Sequence, residues 1–237
     1  VNGIDLKDLR PEKVSDYVVR HLHKAQSIAQ ANIDLIEIQG KPFVLKHFAR
    51  HPFLVRVLWG RFIIGREWRN YKILQGINGI PGICHRLDPY SIIVEYVESQ
   101  RLPRLKESRL TPDFFERLKI LVREIHDRGV THGDLRRKNI LVAPEDCPYL
   151  IDFAGAFSMK GNGNFITQAL FRRLKNVDDF TVLKLQNYYL PGTLTDLETA
   201  RLKHAPWDLR VGWFLKKKVY KPFKRATRGT PGKHGNE

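Results

Sequence analysis

The residue types best suited to chemistry converge on one segment, Thr131-His-Gly-Asp-Leu-Arg-Arg-Lys-Asn-Ile-Leu-Val142. Asn139 follows Asp134 by five residues, and Asp152 follows it by eighteen, within Leu150-Ile-Asp-Phe-Ala154. A general base that takes a hydroxyl proton, plus an amide and a carboxylate that hold Mg²⁺ on a nucleotide, requires this set of residues on loops at strand ends. An Asp-x4-Asn spacing alone is common. His132 before it, the apolar run 140–142 after it and Ile151-Asp152-Phe153 at this distance make the combination specific.

Two further charges sit on faces where packing would exclude them. Strand alternation places Lys46 on the same face as Val44 and Phe48. Helical spacing places Glu67 on the side of Ile63, Ile64, Tyr71 and Leu74. An unpaired buried charge is costly, so the economical arrangement pairs Lys46 with Glu67. The alternative has Lys46 snorkelling to solvent and Glu67 at a helix boundary, and either residue taken alone favours it.

The elements that must position these groups can be read from patterning. Residues 33–38 and 42–48 are apolar strands flanking Gln39-Gly40-Lys41, a hairpin signal. Arg66 to Gln75 has helical spacing and stops at Gly76, and 91–97 reads as a strand. Thr111 and Pro112 open a helix whose Phe115, Leu118, Leu121, Val122 and Ile125 recur at helical spacing up to Gly129. Residues 140–142 and 149–153 read as short strands around a Pro-containing turn, and 165–204 as mainly helical. The expectation is a β-rich front half and an α-rich back half.

With 237 residues and 42% apolar content, the chain can bury one large core or two small lobes. Its formal charge of +16 points to a polyanionic partner. Residues 201–237 carry +9 of that charge, interleaved with Trp207, Trp213, Phe214 and Phe223, and the last ten or so residues are Gly-, Pro- and polar-rich, the signature of disorder. Cys84 and Cys147 form no metal-ligand spacing, nor do His21, His23, His47, His51 and His85. The composition predicts reduced thiols in a cytoplasmic protein, with no apolar run long enough to span a membrane and no signal peptide.

The segment around Asp134 resembles the catalytic loop of protein kinases, His-Arg-Asp-Leu-x4-Asn, with Gly133 in the arginine place. The resemblance covers about residues 25–185 and implies a two-lobed, protein-kinase-like α+β fold: an N-lobe over 1–98, a reduced helical C-lobe over 99–204 and a basic aromatic tail over 205–237. It implies that Lys46 holds the α- and β-phosphates of ATP with Glu67 as its partner, and that Asp134 is the catalytic base. Asn139 and Asp152 become ligands of Mg²⁺, with Mn²⁺ as a substitute, and Arg136 neutralises the transferring phosphate. Glu95-Tyr96-Val97 falls at the hinge, where the backbone of Glu95 and Val97 takes the adenine. The glycine-rich phosphate loop is missing, which leaves Ser27 to Asn32 to do its work. Asp152-Phe-Ala-Gly has alanine where glycine is usual, and no Ala-Pro-Glu follows. These departures are shared by kinases of small molecules and by the atypical RIO kinases.

Among these, Arg66-Glu-Trp-Arg-Asn-Tyr, His132-Gly-Asp-Leu and Leu150-Ile-Asp-Phe together resemble the bacterial lipopolysaccharide kinases of the Kdo/heptose type. That resemblance implies transfer of the γ-phosphate of ATP to a sugar hydroxyl of an anionic glycolipid, at the cytoplasmic face of the inner membrane. The tail then becomes a segment lying on an anionic membrane surface, with nucleic acid ranked below it. Alternatives are a RIO-like serine/threonine protein kinase and a non-catalytic kinase-shaped module that binds RNA or membrane. Arg172, Arg173 and Lys175 read as a solvated helix face or an acceptor contact, and Asp178 or Asp179 as a brace for the catalytic loop.

Overall fold

The alternation read over residues 32–48 forms the centre of an antiparallel sheet. In the computed structural model, which describes residues 9–27, 30–102, 110–159 and 163–203 with Leu6 and Gly161, strand β1 is Val18–His23, β2 is Asn32–Ile38 and β3 is Lys41–His47. Gln39 and Gly40, both at positive φ (54° and 73°), make a two-residue turn whose twist suits the hairpin. A helix follows, with a wide turn of i→i+5 bonding at Val55–Gly60 that runs into α1 (Arg61–Leu74). Strands β4 (Ile83–Asp88) and β5 (Ser91–Glu95) complete a five-stranded sheet in the order β1-β2-β3-β5-β4.

The two faces of this sheet have different fates. Ile36, Ile38, Leu45 and Ile93 meet Leu9 in a small core on one side. On the other, Phe48, Ile92 and Val94 join Ile64, Tyr71 and Leu74 of α1 in the main core, with Val44 packed against it. The strand period of two thus aims Lys46 at α1.

The rear of the molecule comprises β6 (Gln100–Arg101), α2 (Pro112–Asp127), β7 (Val130–Thr131), β8 (Ile140–Ala143), β9 (Cys147–Leu150), β10 (Phe157–Ser158), α3 (Phe165–Tyr189) and α4 (Asp196–Lys203). Thr111 Oγ1 accepts from the Phe114 N–H at 3.2 Å, and Phe114, Phe115, Leu118, Leu121, Val122 and Ile125 form the buried stripe of α2. Asn164 caps α3 by accepting from the Thr167 N–H at 2.9 Å. Strand β8 pairs with β6 and β9, and β10 pairs with β7.

Several expectations need correction. The first helix begins at Phe53, not near Arg66, because the apolar run 53–64 is the N-terminal half of the same helix. Strand β5 ends at Glu95, and Val97 lies in an irregular connection. Strand β9 ends at Leu150, so Asp152 is outside the sheet. Strands β1 and β4 escape the sequence reading because charged and histidine residues interrupt their alternation. Residues 190–195 separate α3 from α4. The basic tail over 205–237 lies outside the described residues.

Gly60 is buried beneath Phe48, and a Cβ there would lie 2.9 Å from both Cβ and Cγ of that ring. Gly60→Ala is therefore expected to destabilise the protein by about 1–3 kcal/mol in urea unfolding, although alanine is the better helix former. A more stable variant would show that this contact is not close packed.

Candidate active site

Lys46 Nζ lies 2.8 and 2.7 Å from the two Glu67 oxygens and 2.7 Å from Asp152 Oδ1. Three elements thereby meet at one ammonium: the central strand β3, helix α1 and the segment after β9. Burial alone would depress the Lys46 pKa, but the Asp152 and Glu67 carboxylates hold it above its ordinary value. Burial, assisted by the Asp152 charge, pushes Glu67 up to about 7 against the pull of Lys46. Burial also opposes ionisation of Asp152, yet the neighbouring Lys46 charge overrides it and holds this carboxyl below its usual range. Lys46 thus serves one carboxylate that is firmly ionised and one that is poised near neutrality.

Helix α1 contributes more than Glu67. Arg66 Nε donates to the Ala154 carbonyl at 2.7 Å, and its Nη2 reaches the same oxygen. Asn70 Nδ2 donates to the Phe153 carbonyl at 3.0 Å. Phe153 packs edge-on against Tyr71, 5.2 Å between ring centroids, and at a tilt against His132, 4.9 Å between centroids. The backbone on the far side of Asp152 is therefore fixed by the helix that also carries the partner of Lys46. Asp152 itself sits in the left-handed region, φ 71°, a conformation that aspartate tolerates better than most residues.

The loop bearing Asp134 is held from below by Asp178 of α3. Asp178 Oδ2 accepts from the His132 N–H at 2.7 Å, Oδ1 accepts from the Gly133 N–H at 3.1 Å, and His126 Nε2 lies 3.3 Å away. Asp178 is thus the brace and is fully buried, whereas Asp179 is partly exposed and lies 3.7 Å from His126 Nδ1. The glycine between His132 and Asp134 has a steric cause: φ is +69° and a Cβ would meet the Gly155 carbonyl at 2.8 Å. His132 is buried, with Nε2 3.1 Å from the Ile151 carbonyl.

Asn139 Nδ2 donates to the Asp134 carbonyl at 2.9 Å, and the Ile151 N–H donates to the Asn139 carbonyl at 3.0 Å. Asn139 and Asp152 consequently flank the same end of the β8–β9 hairpin. Arg136, half exposed, lies 2.8 Å from Asp134 Oδ2. Spending its N–H on Asp134 leaves Asn139 with an amide oxygen as donor, and together with the ionised Asp152 it offers only hard oxygen ligands, a set that fits Mg²⁺. At the expected hinge, Glu95 donates its N–H to the Gly82 carbonyl and accepts the Gly82 N–H on Oε2, both at 2.8 Å. The Val97 carbonyl accepts from Ser99 Oγ at 2.9 Å. Of the expected phosphate-covering stretch Ser27 to Asn32, residues 28 and 29 lie outside the described residues.

The structure thus brings Lys46, Glu67 and Asp152 into contact and gathers Asp134, Arg136 and Asn139 on one loop. Glu95 and Val97 stand at the end of β5. Sequence reasoning did not assign Arg66 and Asn70 as clamps on residues 153–154. Their i, i+4 spacing flanking Glu67 was the available signal.

Comparison with known proteins places this geometry. The family described as RIO domain matches residues 58–186. A probable bifunctional tRNA threonylcarbamoyladenosine biosynthesis protein of Methanosarcina barkeri is 33% identical over 79 residues, and its counterpart in Methanosarcina acetivorans is 32% identical over 80. Each match spans 33% of this chain but 14% of the relative. Among solved structures, the Rio2 kinase of Chaetomium thermophilum in its ADP/Mg²⁺-phosphoaspartate complex aligns with 92% of this chain and 73% of its own, at 18% identity and a TM-score of 0.52. A second structure of that kinase aligns with 91% and 73%, at 16% identity and a TM-score of 0.54. The fold is the expected α+β kinase-like one.

These findings overturn the resemblance to lipopolysaccharide kinases, and with it the sugar-hydroxyl acceptor, the anionic glycolipid and the membrane-docking role of the tail. The physical reason lies in the run from Arg66 to Tyr71: its residues clamp 153–154, pair with Lys46 and pack on Phe153, so they report on a kinase-like site and carry no information about the acceptor. The ranking of membrane above nucleic acid falls as well, since the relatives are named for tRNA modification. Among the described residues no helix is long and apolar enough to cross a membrane.

The elevated Glu67 pKa has a measurable consequence. The unfolded chain releases this proton in the ordinary carboxylate range, while the folded protein keeps it to about pH 7. Between those limits the folded state binds more protons, so this group's contribution to stability falls as pH rises, by about 1 kcal/mol per pH unit. Urea midpoints compared at pH 5, 6 and 7 are expected to show that decline in the parent and its loss in Glu67→Gln. Parallel pH profiles for the two proteins would contradict the assignment.

Proposed function

We propose, on the premise that this chain belongs to the RIO-domain family, that it is an ATP- and Mg²⁺-dependent atypical kinase that phosphorylates a hydroxyl group of a protein. The observation that carries this reading is the meeting of Lys46, Glu67 and Asp152 beside a loop that holds Asp134 and Asn139. Asp152 and Asn139 hold the metal, which when bound neutralises phosphate charge. Lys46, kept cationic by its two carboxylates, binds phosphate oxygens, and the backbone of Glu95 and Val97 holds the adenine.

Asp134 takes the proton of the attacking hydroxyl as the new O–P bond forms and the bond to the leaving ADP oxygen breaks. Its ion pair with Arg136 places a guanidinium, half exposed, at the edge of the reaction centre. The brace from Asp178 fixes the loop so that little reorganisation is needed when the acceptor arrives. The tRNA-modification relatives support an acceptor protein that works in RNA metabolism.

The test uses γ-labelled ATP with Mg²⁺ and a protein extract. Asp134→Asn is expected to bind Mg·ATP with parent affinity and to transfer phosphate at least about 100-fold more slowly. Transfer by Asp134→Asn at the parent rate would remove Asp134 from the base role, and failure of the parent to label any protein would overturn the proposed activity.

A further inference from the structure

The helix that positions Glu67 turns a second face away from the site, and nothing in the kinase chemistry explains it. Phe53, Leu54, Leu58, Trp59 and Phe62 are all exposed, Leu58 to 71% and Phe62 to 54%. Of these, Leu58 and Phe62 lie four residues apart along one groove, an apolar surface of a kind that marks interaction sites. An open groove of about 480 Å³ runs along this face, lined by the apolar Val57, Leu58, Phe62 and Gly65 together with Arg61, Arg69 and Arg86. From residue 57 to 69 it follows about 18 Å of helix, the length of roughly three turns.

Two glycines of this helix differ in a telling way. Gly60 is required by the protein's own packing against Phe48. Gly65 is not: a Cβ there would meet only the tip of Arg86, at 3.8 Å. Glycine is among the poorest residues for a helix interior, so its presence at an unobstructed position has no internal cause. Its effect is to deepen the groove and let another backbone come close.

The rim sets the charge of the occupant. Between residues 48 and 87 the chain has seven Lys or Arg and a single acid, Glu67, which is buried against Lys46. Arg69 donates to the Gly65 carbonyl and Arg86 to the Asp88 and Pro89 carbonyls, acceptors without net charge. A second copy of this chain would bring the same cationic face and a further charge of +16. The chain's own residues 204–237 carry nine Lys or Arg against two acids, so their composition offers no acidic complement. A nucleic-acid backbone would satisfy the arginines but leave the leucine, phenylalanine and glycine floor without an apolar partner.

We propose that this groove docks an acidic amphipathic helix of a partner protein. Its apolar stripe lies on Leu58, Phe62 and Gly65, and its flanking carboxylates meet Arg61, Arg69 and Arg86.

A displayed library of 16-residue helices, leucine at i, i+3, i+4 and i+7 and flanks randomised among Glu, Gln and Lys, tests this against the full chain. Selection is expected to enrich glutamate flanks, and the selected peptide is expected to lose at least tenfold in affinity to Gly65→Leu and to the double variant Arg61→Glu/Arg69→Glu. Leu58→Gln, at an exposed position, gives the same loss and serves where Gly65→Leu fails to fold. No binder, binders without charge preference, or binders indifferent to these variants would overturn the proposal. It would equally fail if oligouridine or phosphatidylglycerol vesicles bound more tightly than the peptide and lost binding in Leu58→Gln.

Discussion

One buried ammonium holds the front and rear of this protein in register. Lys46 projects from the centre of the five-stranded sheet into a place where it must be neutralised, and its two carboxylates come from elements 21 and 106 residues further along the chain. Removing the buried partner, Glu67, would leave an under-compensated charge in a poorly solvated position, a loss of several kcal/mol. Much of the surrounding architecture serves that junction. Helix α1 must be long enough to carry Glu67 inward while Arg66 and Asn70 grip the backbone after Asp152. Helix α3 must reach back so that Asp178 can hold the loop that presents Asp134.

How much of this could be read from residues alone depended on whether the signal was local. The hairpin around Gln39-Gly40 and the helix after Thr111 were legible because turn chemistry, capping and periodicity lie within one segment. The pairing of Lys46 with Glu67 was legible for a different reason, since two opposite charges on apolar faces have few other solutions. Strand β1 was hidden because Arg20, His21 and His23 interrupt its alternation, and what holds it lies elsewhere in the sequence: His21 is held by Asp34 of β2 at 2.7 Å. The N-terminal half of the first helix was equally hidden, because its exposed Phe53, Leu58 and Phe62 disguise the helical period. Gly133 was visible as a departure from the kinase pattern, but its cause, the approach of Gly155, exists only in three dimensions.

The nature of the acceptor was the least legible property, and the site explains why. Groups that bind nucleotide and metal are constrained by phosphate chemistry that all kinase-like proteins share. Groups that select an acceptor answer only to that acceptor. The run from Arg66 to Tyr71 belongs to the first kind, so its resemblance to lipopolysaccharide kinases could not identify a sugar substrate. The strong positive charge points to a polyanionic partner without naming it. Part of it lines an apolar groove on the outer face of α1.

The central claim is that Lys46, Glu67 and Asp152 form the nucleotide and metal site of a RIO-family kinase. Calorimetric titration of ATP into the parent protein and into Asp152→Asn, each with and without Mg²⁺, tests it most directly. The expected result is a single site in the parent that strengthens with Mg²⁺, and a variant in which Mg²⁺ no longer improves ATP binding. Undiminished Mg²⁺-dependent binding by Asp152→Asn, or no ATP binding by the parent, would contradict it.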